Sequence, residues 1–216
     1  MRKLQTPMTI LKDIYTSIFG KDYGQIWRQF ALDNNGKFIE ANDGNESSVE
    51  IVFLSHKIIF DRYIDYRVVG DKSIDTEFTR IRLEFVSPDN LRLRVMRQGL
   101  IDNIGKLFGA QDIRIGDKVF DKKFMIKGND EFKIQQIFSN NLIKECLLPE
   151  KDIVLQVLDN EGIFNEKIKE GNSMLYYISE EIVTSLDRLN TLLNLYKALV
   201  DQMTKLGSAR PIKASA

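Results

Sequence analysis

Between Phe78 and Arg97 the chain changes character at every residue. Thr79, Ile81, Leu83 and Phe85 alternate with Arg80, Arg82 and Glu84, and Leu91, Leu93 and Val95 alternate with Arg92 and Arg94. Successive side chains in a strand point to opposite faces, so each run has one apolar face and one charged face. Ser87-Pro88-Asp89-Asn90 between the runs has the residues of a tight turn: Pro pre-sets φ, and Asn tolerates the left-handed position. Read as a three-residue hairpin loop, it would pair Phe85 with Leu93, Leu83 with Val95 and Glu84 with Arg94.

Helical spacing brackets this β-rich centre. Thr6 and Pro7 can open a helix that buries Met8, Leu11, Ile14, Ile18 and Phe19. A second helix carries Tyr23, Ile26, Trp27 and Phe30, where the single tryptophan reads as a core anchor. From residue 37 to 97 short β-branched and aromatic runs follow one another across brief turns, which favours an antiparallel meander. A short helix is expected over 99–108. Strands are expected near Lys118–Phe120, Phe124–Ile126, Ile153–Leu158, Phe164–Lys169 and Met174–Ile178, with a helix from Phe132 re-capped at Ser139. The last helix, opening at Ser179 and stopped by Gly207, repeats apolar residues from Ile182 to Met203 in alternating four- and three-residue steps, and Leu192, Leu195, Leu199 and Leu206 widen the stripe.

These elements predict an α+β fold: a mainly antiparallel, curved sheet with N-terminal helices and a long C-terminal amphipathic helix. Residues 1–207 form the domain, and 1–115 and 116–207 are the sub-domains if there are two cores; 208–216 reads as a disordered tail. The broad stripe on the last helix suits core packing, and its alternative use is a homo-oligomer interface through Ile182–Leu206.

Composition narrows the chemistry. Lys and Arg number 31 and Asp and Glu also 31 in 216 residues, so no global field draws in nucleic acid or anionic membrane. One cysteine, Cys146, permits no internal disulfide. Lys12 and Asp13 interrupt the first apolar run, which denies it a signal-peptide core, and the expected location is cytoplasmic. His56, the only histidine, falls in the turn Leu54-Ser55-His56-Lys57 and reads as a solvated turn residue. No H-E-x-x-H, C-x-x-C, G-x-S-x-G or G-x-G-x-x-G occurs. Gly99–Lys106 misses a phosphate loop by its glycine spacing and by Leu107 where Ser or Thr is needed. No cofactor is expected.

Two constellations remain. Arg80, Arg82, Arg92 and Arg94 could aim guanidinium forks at an acidic or phosphate-bearing partner. Asp117, Asp121 and Asp130, set among glycines, could gather around a pocket or a hard cation as a carboxylate-based enzyme, although turns and helix caps use the same residues.

The stretch Gly116-Asp117-Lys118-Val119-Phe120-Asp121-Lys122-Lys123-Phe124-Met125-Ile126-Lys127-Gly128-Asn129-Asp130 resembles a motif of uncharacterised bacterial proteins, chiefly of the Bacteroidetes type, near G-D-x-x-F-D-x-x-F-x-I-x-G-N-D. Trp27-x-x-Phe30-Ala31 and Phe108-Gly109-Ala110-Gln111-Asp112-Ile113 resemble the same group, and residues 115–178 are loosely similar to a broader bacterial domain of unknown function. The resemblance implies a bacterial origin. It transfers no activity and no catalytic residue. The expectation is a non-catalytic binding domain that uses the arginine face or the last helix.

Overall fold

Helix α1 (Tyr23–Asp33) turns Trp27, Phe30 and Ala31 to one side, and all three are buried. Trp27 Nε1 donates to the Val183 carbonyl at 2.9 Å, tying this helix to the segment that leads into the last one. The computed structural model describes residues 23–41, 46–70, 72–98, 111–151, 153–159 and 167–212. The helices expected at 7–19 and 99–108, and the first half of the strand expected at Phe164–Lys169, lie outside the described residues.

Nine strands follow: β1 (Lys37–Ile39), β2 (Ser48–Phe53), β3 (His56–Val69), β4 (Lys72–Val86), β5 (Leu93–Arg97), β6 (Gln111–Ile113), β7 (Phe124–Gly128), β8 (Ile153–Leu158) and β9 (Asn172–Ser179). They make one antiparallel sheet in the order β1-β2-β3-β4-β9-β8-β5-β7-β6. Helices α2 (Lys118–Lys123), α3 (Glu131–Phe138), α4 (Asn141–Leu147) and α5 (Leu186–Lys205) complete the described elements. Among the described residues every helix contributes to one apolar cluster with a single face of the sheet, including Ile58, Ile81, Leu83, Leu155, Leu175 and Tyr177. The fold is α+β, as the periodicities predict.

The odd/even partition holds on both charged strands. Ile81, Leu83, Phe85, Leu91, Leu93 and Val95 are all buried on the helical side. The hairpin pairing does not hold. Phe85 lies opposite Ser173 and Leu93 opposite Val157, because the β8–β9 hairpin sits between β4 and β5. The turn itself forms as read, with Asn90 at φ 53°, but it spans two inserted strands. The physical reason lies in β8 and β9, which are buried almost end to end on both faces. Strands without a polar face are fully covered only in the interior of a sheet.

Three other expectations need correction. Residues 118–123 form a helix, not a strand: Asp117 accepts from Val119 N and Phe120 N and so opens α2. The last helix begins after Ser185 rather than Ser179. Residues 180–185 are clamped on β4, where Thr79 N and Oγ1 donate to the Glu181 carbonyl at 2.8 and 2.7 Å and Thr79 Oγ1 accepts from Val183 N at 2.8 Å. The expected tail is docked over 208–212: Ser208 and Ala209 are buried, Ser208 Oγ donates to Asp89 Oδ2 at 2.6 Å, and Arg210 bridges Val86.

Gly128 shows how tightly the sheet and α3 meet. Its φ is not in the left-handed region, and its missing side chain is what matters. A Cβ there would lie 2.1 Å from Ile134 Cδ1 and 2.7 Å from the Arg92 carbonyl oxygen. A side-chain end can move aside; a ladder carbonyl cannot. Gly128→Ala is therefore expected to cost about 1–3 kcal/mol in a urea unfolding titration, as overpacking does, and an unchanged midpoint would refute the close approach.

Candidate functional site

The face opposite the helices holds the predicted arginines, and register places them. One row crosses the sheet through Ile59, Arg82, Tyr176, Gln156, Arg94 and Lys127, each opposite the next. The adjoining row contains Asp61, Arg80, Ile178, Val154 and Met96. Arg80 and Arg94 are buried, so this is not the solvated stripe that alternation alone would suggest.

The arginines do not act as one set. Arg80 donates to both oxygens of buried Asp61, from Nε at 2.7 Å and from Nη2 at 2.9 Å, and Arg82 shares the same carboxylate. Arg94 Nε donates to Gln156 Oε1 at 2.7 Å, and burial holds its pKa below the ordinary arginine value. Arg92 stands at the sheet's end, paired with Asp159. The structure thus brings Arg82 and Arg94 into one row with two strands between them, puts Arg80 beside Arg82 on Asp61, and sets Arg92 aside.

Between Arg82 and Arg94 lie two residues that sequence reasoning missed. Tyr176 and Gln156 are direct cross-strand partners, fully buried, and among the described residues neither Tyr176 Oη nor Gln156 Nε2 has a hydrogen-bond partner. Gln156 gives its oxygen to Arg94, so its unpaired end is the donor. Apolar groups surround the pair: Ile168, Met174, Tyr176 and Ile178 form a small cluster joined by Phe78 and Leu158. The signal in the sequence was Met174–Ile178, a strand apolar on both faces that nonetheless carries tyrosine hydroxyls.

Away from this face, a groove opens at the head of α5. Pro149, Glu150, Lys151, Glu181, Arg188 and Thr191 help line its ≈ 550 Å³. At its base buried Glu150 accepts from Tyr177 Oη at 2.7 Å and from Arg188 Nη2 at 2.6 Å and Nε at 3.1 Å, while Arg188 Nη1 donates to Glu181 at 2.6 Å. Burial and then the Glu150 charge push the Tyr177 phenol far above its ordinary range. Burial opposes the Arg188 charge, yet Glu150, Tyr177 and Glu181 more than offset this and raise its pKa. Every group in this network is paired, so it fastens α5 to β9 and leaves no free acid or base.

The aspartates are spent locally. Asp117 caps α2 and meets Lys144, Asp121 accepts from Ile115 N and Gly116 N at 3.1 Å, and Asp130 caps α3 through Lys133 N at 3.0 Å. Among the described residues no group of three or more His, Cys, Asp or Glu could hold a metal ion. Cys146 is buried against the core, and burial followed by Glu145 and Glu150 raises its thiol pKa, the opposite of activation. The expected turn forms at Leu54 and Ser55, at φ 49° and 61°, but His56 opens β3 and is 1% exposed rather than solvated. Its alternation with Ile58 and Phe60 points it into the core, where neither ring nitrogen finds a partner among the described residues and burial lowers its pKa. The α5 stripe, offered above as an oligomer face, is largely consumed: Leu189, Leu192, Leu193, Tyr196, Leu199 and Met203 are buried, and Tyr196 Oη donates to the Ile81 carbonyl at 2.7 Å. No described helix is long and apolar enough to cross a membrane.

No family model matches the chain, and a search of curated proteins finds no match. Among solved structures the chain is similar to the mycobacterial trehalose monomycolate transport factor A, TtfA, with a TM-score of 0.50 and 8% identity over 89% of this chain and 98% of that one. At that identity the likeness concerns the fold alone.

Two outcomes follow from the buried groups. Glu150→Ala should cost about 3 kcal/mol, because it strands the Tyr177 hydroxyl and a guanidinium; the figure sits at the low end for a broken buried pair since the Arg188 side chain is 26% exposed. A chemical-denaturation difference under about 1 kcal/mol would show the network to be ornamental. For His56 the folded pKa is depressed, so its stabilising share is full above the unfolded value of about 6.5 and is lost as pH falls through the lower folded value. Comparing wild type with His56→Phe by urea midpoints at about pH 7.5, above the unfolded value, and at about pH 5, below it, should show a steeper acid loss in the wild type.

Proposed function

We propose that the protein acts by binding rather than by catalysis, and that its ligand presents a carboxylate or phosphate on an apolar body to the sheet face opposite the helices. The observation that carries this reading is the neighbouring pair of buried, unpartnered groups, Tyr176 Oη and Gln156 Nε2. A buried donor left without an acceptor costs about 1–3 kcal/mol. Two of them side by side make a place where an acceptor oxygen gains more than it would in water. Arg82 and Arg94 bracket the pair in the same row and favour a negative acceptor over a neutral one.

The neighbours on either side favour an amphiphile. Ile178, Val154 and Met96 flank the row on one side, and Met174 and Leu158 on the other. These can cover a chain or ring but offer it no hydrogen bonds. That a similar fold serves a protein named as a transport factor accords with a role without catalysis, and no residue is carried across from it.

Isothermal titration of the full chain with dodecanoate, dodecyl phosphate and dodecanol tests the reading. At least one anionic probe should bind and the alcohol should bind much more weakly. Tyr176→Phe removes an unpaired polar atom and should fold with stability unchanged or raised, and Gln156→Glu replaces the unpaired donor while keeping the oxygen that Arg94 Nε uses. Each should weaken the anionic probe about tenfold. Absence of binding by both anions, or binding undiminished in both variants, would sink the proposal.

A further inference from the structure

The β3–β4 hairpin outruns the sheet to which it belongs. β2 accompanies β3 only as far as Asp61, and β9 accompanies β4 only as far as Thr79. Beyond those points β3 and β4 pair with each other alone, from Arg62↔Thr79 out to Val69↔Lys72. The arm is about 25 Å long at the usual rise per residue. A two-stranded ribbon is marginal in water by itself, and among the described residues both its outer edges are open. Some of its apolar side chains are exposed as well, Tyr66 by 68% and Val68 by 78%.

We propose that this arm joins two copies of the chain, β3 edge to β3 edge, antiparallel about a twofold axis at Tyr66. The proposal does not depend on the sheet-face reading, since it uses different residues. What commits the edge to a second copy is self-complementarity. An axis at Tyr66 sets Ile64 opposite Val68, Tyr66 opposite Tyr66, and Asp65 opposite Arg67, and the symmetry repeats each unlike pair. Opposed residues of an antiparallel pair share a face, so Ile64, Tyr66 and Val68 of both copies make one apolar strip. The Asp65–Arg67 pairs occupy the other face. Within one copy Arg67 Nε already reaches Asp65 Oδ2 at 2.6 Å, which places the two charges side by side on that face. Isologous contacts need this kind of matching. The β4 edge lacks it: an axis at Asp75 or at Thr76 would set acid against acid.

Analytical ultracentrifugation of the full chain across a wide concentration range provides the test. The wild type should show a reversible monomer–dimer equilibrium. Asp65→Arg and Arg67→Asp each place like charges across the axis and should weaken association by about tenfold. The double reversal Asp65→Arg with Arg67→Asp restores opposite charges and should recover the dimer. Tyr66→Glu, at an exposed position where folding is not at stake, should dissociate it independently. A chain that stays monomeric throughout, a dimer indifferent to the single reversals and to Tyr66→Glu, or a double variant as weak as the singles would each overturn the proposal. The first of these would instead assign the alternating charges to guarding an open edge.

Discussion

The middle of this sheet is buried on both faces, and most of what distinguishes the protein follows from that. On β8 and β9 nearly every side chain is out of water, whichever way it points. A polar atom on such a strand must be met by another polar atom or remain unpaid, because water cannot reach it. On the helical face the obligation is met by the large hydroxyl and indole groups and left open at Ser173 Oγ and His56 among the described residues. Tyr177 donates to Glu150 and Tyr196 to the Ile81 carbonyl, and Trp27 reaches Val183. On the opposite face it is met at Asp61 and at Arg94 Nε, and left open at Tyr176 and Gln156. The contrast between the two tyrosines, adjacent in sequence and opposite in direction, locates the functional question.

The paired network explains why the helical layer stays in place. Glu150, at the end of the segment after α4, receives a hydroxyl from β9 and a guanidinium from the first turn of α5, while its carbonyl accepts from Arg97 Nε of β5 at 2.8 Å. One residue therefore holds three elements distant in sequence. With Thr79 clamping residues 181–183 onto β4, it fixes where α5 starts and at what height it crosses the sheet.

Local pattern made much of the fold legible. Alternation at Ile81, Leu83 and Phe85 marked the buried face, the four- and three-residue steps from Leu189 to Met203 marked the last helix, and Asp130 was readable as a cap. What failed was non-local. Nothing between Val86 and Leu93 announces that two later strands will enter between β4 and β5; only the two-sided apolarity of β8 and β9 hints at it. Competition between near-equal local signals caused the other misses: Ser185 over Ser179 as a cap, and a helix rather than a strand after Asp117. At the site, the arginine pattern pointed to the correct face but not to the groups that matter. Arg80 and Arg82 find Asp61, a partner no spacing rule names, whereas Tyr176 and Gln156 become notable only when register sets them together without acceptors.

Electron density for the protein isolated from its own cells, read around Tyr176 Oη and Gln156 Nε2, bears most directly on this account. An oxygen of a bound carboxylate or phosphate within hydrogen-bond distance of both atoms, continuing into an apolar body along Ile178 and Val154, is the predicted result. A lone water bridging the two, or a protein carbonyl satisfying them, would contradict it.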